Sequence, residues 1–448
     1  MRPTANWSWL LVAGIALLVL TVGVSAALAP PIQQGVTTEH VDGNDTNETR
    51  KTLVGSHGGG LGYHKKGSVY MLNGTDVAWR EDSADSNFEV QQLPNGSVMV
   101  GFSSAGYEEC GQYSSPCAHT GYRIVEPGPN PTVISEYSFP VRSMKNSESH
   151  AAKRLPDGGV AVTDMDQERL FVVENGSIAW EWRASSFYDA PEDPTTTDWL
   201  HINDVDYIGD DRFLLSVRNA NQILVIERGS GVVEVINEDR GGSDSSCTRS
   251  GELSDTDGDG DVRCGNPDVL NHQHNPQWLG DGAVLVADSD NNRVVELHRT
   301  DEGRWEPTWA LYEAGGLDFA WPRDADRLPN GNTLITDTRN QRLVEVDENG
   351  TVVWSFNVRE TLDLAVVPYE ADRIVDNDSN VTTYEREEVA EPGERGLPVL
   401  STLTLAAHSA FPALPYWFEG VQIVGTLAAL LLVVASPVQW YRQRKRER

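Results

Sequence analysis

The sequence predicts an all-β protein: a β-propeller of six blades, each of four antiparallel strands, with a transmembrane helix at either end. Three observations lead there. A strand–turn–strand motif returns about every 50 to 70 residues, the repeats carry no helical periodicity, and an apolar segment stands at each terminus.

The motif runs over 88–100, 150–162, 203–215, 274–286 and 323–335. Each copy is a short strand, a turn of the Leu-Pro-Asn-Gly type and a second strand, the pattern of a hairpin. A third and fourth strand follow with their own turn, clearest from Arg342 to Trp354 and echoed from Leu170 to Trp182 and Gln222 to Ile236. Trp180 and Trp354, which close repeats, are expected between neighbouring blades. The stretch Thr52 to Arg80 supplies later strands of a blade without its first. The segment Ala365 to Arg373 can provide that strand and close the ring, which removes exposed sheet edges. An insertion could conceal a seventh blade.

The organisation expected is a signal peptide or membrane anchor over 1–29, a polar linker over 30–50 and the propeller over 51–376. An acidic linker over 377–396, an apolar interfacial segment over 397–418, a transmembrane helix over 419–441 and a basic tail over 442–448 complete the chain. The basic tail belongs on the cytoplasmic side, which places the propeller outside the cell membrane.

The 448 residues hold 67 Asp plus Glu against 35 Lys plus Arg, a formal net charge of −32, and only Lys51, Lys65, Lys66, Lys145, Lys153 and Lys445 are lysines. So acidic a surface argues against nucleic acid, whose phosphates require a basic footprint. It reads as the solvated surface of a halophilic protein. The four cysteines form close pairs, Cys110 with Cys117 and Cys247 with Cys264, neither at zinc-ligand spacing, and are read as two local disulfides in an oxidising compartment. Sequons at Asn44, Asn47, Asn377 and Asn380 agree with a glycoprotein; those at Asn73, Asn95, Asn175 and Asn349 are Asn-Gly-Ser/Thr and equally read as turn chemistry. Asp255, Asp257, Asp259 and Asp261 alternate as in a calcium loop, with Gly260 at the turn but Asn266 where a bidentate Glu would stand. A structural Ca2+ and a merely solvated acidic loop are both open.

Aligned on the Leu or Ile of the turn, the repeats place Phe88, His150, Asn203, His274 and Arg323 at one register. His201 and His272 lie two residues earlier, which strand alternation would put on the same face. First strands line a propeller's channel, so these groups are expected to converge at one end of it, as a site or as a lining for channel water.

The run from His201 to Tyr207, the Ser-Val-Arg ending at Arg218 and the pair Gln273-His274 resemble, in order, the aryl-sulfate sulfotransferases that use no nucleotide sulfuryl donor. Residues 328–337 are similar to that family's repeat. The resemblance spans about 85 to 360. It implies a sulfuryl group moved from an aryl sulfate to a phenolic acceptor through a sulfohistidine, with no cofactor required for transfer. It further implies His274 as nucleophile, His150 as acid/base, and Arg218 with His201 on the sulfuryl oxygens; Asn203, His272 and Arg323 are candidate substrate-binding residues. The other reading of this sequence is a non-catalytic, membrane-anchored propeller that binds a ligand or protein partner at the cell surface. No phosphate loop, Gly-x-Ser-x-Gly elbow or His-Glu-x-x-His is present.

Overall fold

The structure is a computed structural model. It describes residues 7–36, 50–58, 65–238, 264–280, 282–362, 366–374, 381–385, 398–411 and 414–446. Two units are distinguished: Ile32–Pro392, and the terminal segments Met1–Pro31 with Gly393–Arg448.

Among the described residues, strands of the larger unit form six four-stranded antiparallel blades. Two of them, joined at the single bridge His57↔Ser86, count together as one eight-stranded sheet. Blade 1 is made of Lys51–Gly58, Ser68–Asn73, Asp76–Glu81 and, as its inner strand, Val366–Arg373, which pairs with the first from Thr52↔Arg373 to Gly58↔Val366. Blades 2 to 6 follow in chain order over 86–141, 152–183, 202–236, 274–311 and 324–357. The ring therefore closes with its C-terminal strand, as the sequence indicated. The expected linker over 30–50 is not wholly a linker, because Gly35–Val36 adds a fifth strand to blade 6 beside Val352–Asn357.

The repeated turn explains the repeated sequence. Gly96, Gly158 and Gly331 each donate to the carbonyl three residues back (2.8, 3.0 and 2.9 Å) and adopt φ of +86°, +94° and +87°, which glycine reaches without a Cβ penalty. The side chain of Asn95 accepts from the Ser97 N–H at 3.1 Å, so this sequon asparagine serves its turn.

The core lies between blades. Leu170, Val172 and Trp182 of blade 3 pack with Ile202, Phe213 and Leu224 of blade 4. Trp180 stacks on Phe213 at 5.6 Å, and Trp354 of blade 6 is buried in one cluster with Val54 and Tyr70 of blade 1. Three blades fasten their second strand to their third by an Asp and an Arg five residues on: Asp164–Arg169, Asp288–Arg293 and Asp337–Arg342, all at 2.7 Å.

Cys110 and Cys117 are disulfide-bonded. Cys264 is also disulfide-bonded and buried, while Cys247, Asp255, Asp257, Asp259 and Asp261 lie outside the described residues, as do Asn44, Asn47, Asn377 and Asn380.

In the terminal unit, Trp7–Leu28 and Gly420–Lys445 are helices long and apolar enough to cross a membrane. They run antiparallel: Gln422 reaches Ser25 at 3.0 Å and Ser436 reaches the Trp7 carbonyl at 3.1 Å. Glycines set the approach. A Cβ at Gly14 would lie 2.8 Å from Val433 Cγ2, and one at Gly425 would collide with the Thr21 side chain. The segment expected to be interfacial forms the helix Pro398–Ala410, and the basic tail continues the last helix to Arg446.

Candidate functional site

Blades 4, 5 and 6 enter their inner strands through a residue in the left-handed region: His201 (φ +56°), His272 (+50°) and Trp321 (+53°). Such a conformation costs on the order of 1–3 kcal/mol and persists only where neighbours enforce it. Here each backbone N–H is taken by a side chain from the preceding blade: His201 by Glu168 at 2.7 Å, His272 by Asn221 at 3.0 Å and Trp321 by Asn292 at 2.8 Å. Glu168 also accepts from Leu200 and Ile202 (both 3.0 Å), and burial pushes its pKa up to about 8 despite those donors.

This left-handed start corrects the expectation that His201 and Asn203 share a strand face. The strand begins at Ile202 and its register shifts between Ile202 and Asp204. Asn203 turns into the scaffold, its amide donating to the Gln273 carbonyl at 2.8 Å, while the His201 ring goes to the site. His272 likewise turns away and pairs with Asp290 at 2.8 Å; its carbonyl serves His274.

The other expected residues come together. His274 is buried, with Nδ1 at 2.8 Å from Ser289 Oγ and 3.1 Å from the His272 carbonyl. The Ser289 hydroxyl donates its one proton to the Pro322 carbonyl at 2.6 Å, so it can only accept from His274. Nδ1 therefore carries the hydrogen and Nε2 keeps its lone pair. Burial, then the charges of Arg323 and Arg218, hold the His274 pKa well below the usual value, so the ring is neutral at pH 7.

His201 is arranged similarly. Nδ1 faces the Asp198 carboxylate (2.8 Å to each oxygen) and Nε2 accepts from Arg218 Nη1 at 3.0 Å. Burial and Arg218 keep this ring neutral as well. Arg218 is aimed by Asn219, whose Oδ1 receives Nε and Nη2 at 3.1 and 3.0 Å and whose amide is tied to the Asp198 carbonyl. A second pair has the same form: Arg323 Nη1 donates to Nε2 of His57, whose Nδ1 donates to the Gly58 carbonyl at 3.0 Å. The Arg323 guanidinium lies over the rings of Trp321 (4.3 Å) and Tyr369 (4.9 Å). Arg339, in the turn that corresponds to Arg218's, also lies on Trp321 at 4.0 Å.

His150 stands 5.7 Å from His201, ring centre to ring centre. Its Nε2 meets the Glu148 carboxylate at 3.3 Å and its Nδ1 meets the Tyr369 hydroxyl at 2.8 Å. Burial lowers the His150 pKa, against the pull of Glu148.

Sequence reasoning missed His57, Glu148, Asp198, Ser289 and Tyr369. For Tyr369 a signal existed: carrying the repeat register into the closing strand puts it level with Phe88, His150, Asn203, His274 and Arg323. Three residues further along the six inner strands, roughly 10 Å at strand rise, stand Gln91, Lys153, Asp206, Gln277, Asp326 and Asp372, which line a cavity of about 650 Å3. Between the two levels the channel is acidic. Glu89, Asp204, Asp324 and Glu370 are buried, and Lys153 bridges Glu89 (2.6 Å) and Asp206 (3.8 Å). Burial raises all four carboxyl pKa values, those of Glu89 and Asp324 to about 7.

Fold and site define a propeller that gathers neutral imidazoles and two guanidinium groups at one end of its channel, a setting suited to an oxyanion. The chain belongs to the arylsulfotransferase (ASST) family, which it matches over residues 76–305. Solved structures it is similar to include a protein of unknown function from Bacteroides caccae (15% identity, 73% of this chain and 99% of that one, TM-score 0.47). Others are the periplasmic gluconolactonase of Pseudomonas aeruginosa (13%, 73% and 99%, TM-score 0.41) and virginiamycin B lyase from Staphylococcus aureus (10%, 73% and 89%, TM-score 0.40). Transmembrane glycoprotein NMB of Rattus norvegicus is 32% identical over 108 residues, which are 23% of this chain; the match spans 18% of that relative's length.

Proposed function

We propose that the protein transfers a sulfuryl group from an aryl sulfate to a phenol by way of a sulfohistidine on His274. The observation that carries the reading is the fixed tautomer of His274: with Nδ1–H held by Ser289 and the His272 carbonyl, Nε2 is an uncharged nucleophile. In the first half-reaction Nε2 attacks sulfur, the S–O bond breaks, and the electron pair leaves on the phenolate oxygen. In the second, the acceptor oxygen attacks the same sulfur and the N–S pair returns to Nε2.

Charge on the sulfuryl oxygens is met by Arg218 and Arg323. The first is steadied by Asn219 and His201 and the second by His57, so neither must reorganise as charge shifts. His150 serves the proton at the phenolic oxygen. In this reading both terminal helices cross the membrane antiparallel, and the basic residues of 442–446, kept on the cytoplasmic side, leave the propeller outside.

The test is full-length protein in detergent and high salt, with p-nitrophenyl sulfate and a phenolic acceptor. Acceptor-dependent nitrophenol release that is lost in His274→Ala supports the proposal. Release without an acceptor would make the protein a sulfatase, and no release at all leaves a binding propeller.

A further inference from the structure

The ring nitrogens of His150 are both engaged, which decides how this residue can act. A carboxylate only accepts, so Glu148 takes the hydrogen of Nε2, and in the neutral ring Nδ1 is then the base. The partner of that base is the Tyr369 hydroxyl at 2.8 Å. A phenolic acceptor cannot reach Nδ1 without displacing Tyr369. The tyrosine itself is central to the site: its ring lies 5.0 Å from His150, 6.2 Å from His274, 6.3 Å from His57 and 5.2 Å from Phe88, beneath the Arg323 guanidinium. It comes from the strand that closes the ring, beyond the family-matched residues 76–305.

Resting on the transferase reading, we propose that Tyr369 is the catalytic residue at the acceptor's phenolic oxygen, and that His150 and Glu148 act through it. The Tyr369 oxygen gives its proton to Nδ1 and retains lone pairs for a second hydrogen. As the acceptor oxygen bonds to sulfur and the N–S bond of sulfohistidine breaks, the acceptor's proton passes to Tyr369 Oη. The proton of Tyr369 passes at once to His150 Nδ1, and the imidazolium formed faces the Glu148 carboxylate. No tyrosinate accumulates. The imidazolium so formed holds the proton that the next donor half-reaction, running the chain backward, delivers to the departing phenolate oxygen. This step matters for poor leaving groups and hardly at all for nitrophenolate, which leaves without protonation.

The arrangement assigns a substrate class. With a relay able to take the proton of a neutral phenol, the acceptors served are weakly acidic phenols that are un-ionised at neutral pH. Tyr369→Phe keeps the ring and its packing and removes only the oxygen.

The experiment uses full-length protein, p-nitrophenyl sulfate as donor, and acceptor phenols graded from unsubstituted phenol to nitrophenols that are already ionised. Wild type is compared with Tyr369→Phe and, should that variant not fold, with Glu148→Gln. The nitrophenol burst is expected to persist in Tyr369→Phe, whereas turnover on unsubstituted phenol falls about 10²-fold, within the usual range of acid–base assistance. The loss shrinks towards nothing with ionised acceptors. In Glu148→Gln the same acceptor dependence appears with a smaller drop. An equal loss on every acceptor, or none on phenol, overturns the role of Tyr369 while leaving the transferase reading intact. A wild type that transfers to no acceptor removes both.

Discussion

Asp324 offers a test of the channel's electrostatics. It is buried on the inner strand of blade 6, where Oδ2 accepts from the Ala371 N–H (2.9 Å) and the Thr336 hydroxyl (3.3 Å). Burial, and further along the channel the charge of Asp372, raise its pKa from 3.8 to about 7. The folded chain thus holds this proton more tightly than the unfolded chain does. Its contribution to stability is full below pH 4 and is lost as pH climbs to about 7, the reverse of a salt-bridged carboxylate. At 1.36 kcal/mol per pH unit, a displacement of that size is worth on the order of 4 kcal/mol. Spread over roughly 350 residues at about 2.1 cal/mol/K each, it is about 5–6 °C in Tm. Asp324→Asn keeps an acceptor for Ala371 and cannot ionise. Thermal unfolding of wild type and variant, followed at pH 4 to 8 in 1 M NaCl to screen surface repulsion, should show the wild type losing those degrees relative to the variant. Parallel Tm curves across that range would refute the reasoning.

Asp288→Ala strands the buried Arg293 guanidinium, which keeps the carbonyls of Asp268 and Val269 but loses its counter-charge; a destabilisation of about 3–5 kcal/mol is expected. Adding Arg293→Met should recover most of it, and chemical denaturation of the two variants reads the difference. Ser289→Ala leaves the His272 carbonyl at 3.1 Å as the one remaining acceptor for His274 Nδ1–H. One neutral hydrogen bond of about 1 kcal/mol corresponds to a roughly fivefold slower sulfuryl transfer, with the substrate KM little altered. A loss of thousandfold would mean that Ser289 does more than orient the imidazole.

The repeat was legible because a propeller writes its geometry locally. A Pro-Asn-Gly turn and period-two strands lie within a dozen residues, and the blade count and ring closure follow from them. His150, His274 and Arg323 were legible for the same reason, since the register marks which residues face the axis; Arg218 and His201 were given their roles by the runs that resemble the family, not by the register. What the register cannot carry is direction at an irregular entry. His201 and His272 sit in left-handed conformations imposed by Glu168 and Asn221, so strand alternation misplaced Asn203 and His272. Partners were hidden by distance along the chain: Tyr369 meets His150 across 219 positions, and Arg323 meets His57 across 266. Nothing local to either member announces such a contact.

Because the strand 366–373 is the last of the propeller to be made, the order of synthesis bears on when the protein can work. As the chain emerges, blade 1 waits without its inner strand, and His150 faces the axis without the tyrosine hydroxyl that engages it. Any product that stops short of residue 366 has an open ring and, on the proposed mechanism, half a proton path. On that mechanism, completion of the last inner strand, closure of the circle and readiness for chemistry are one event.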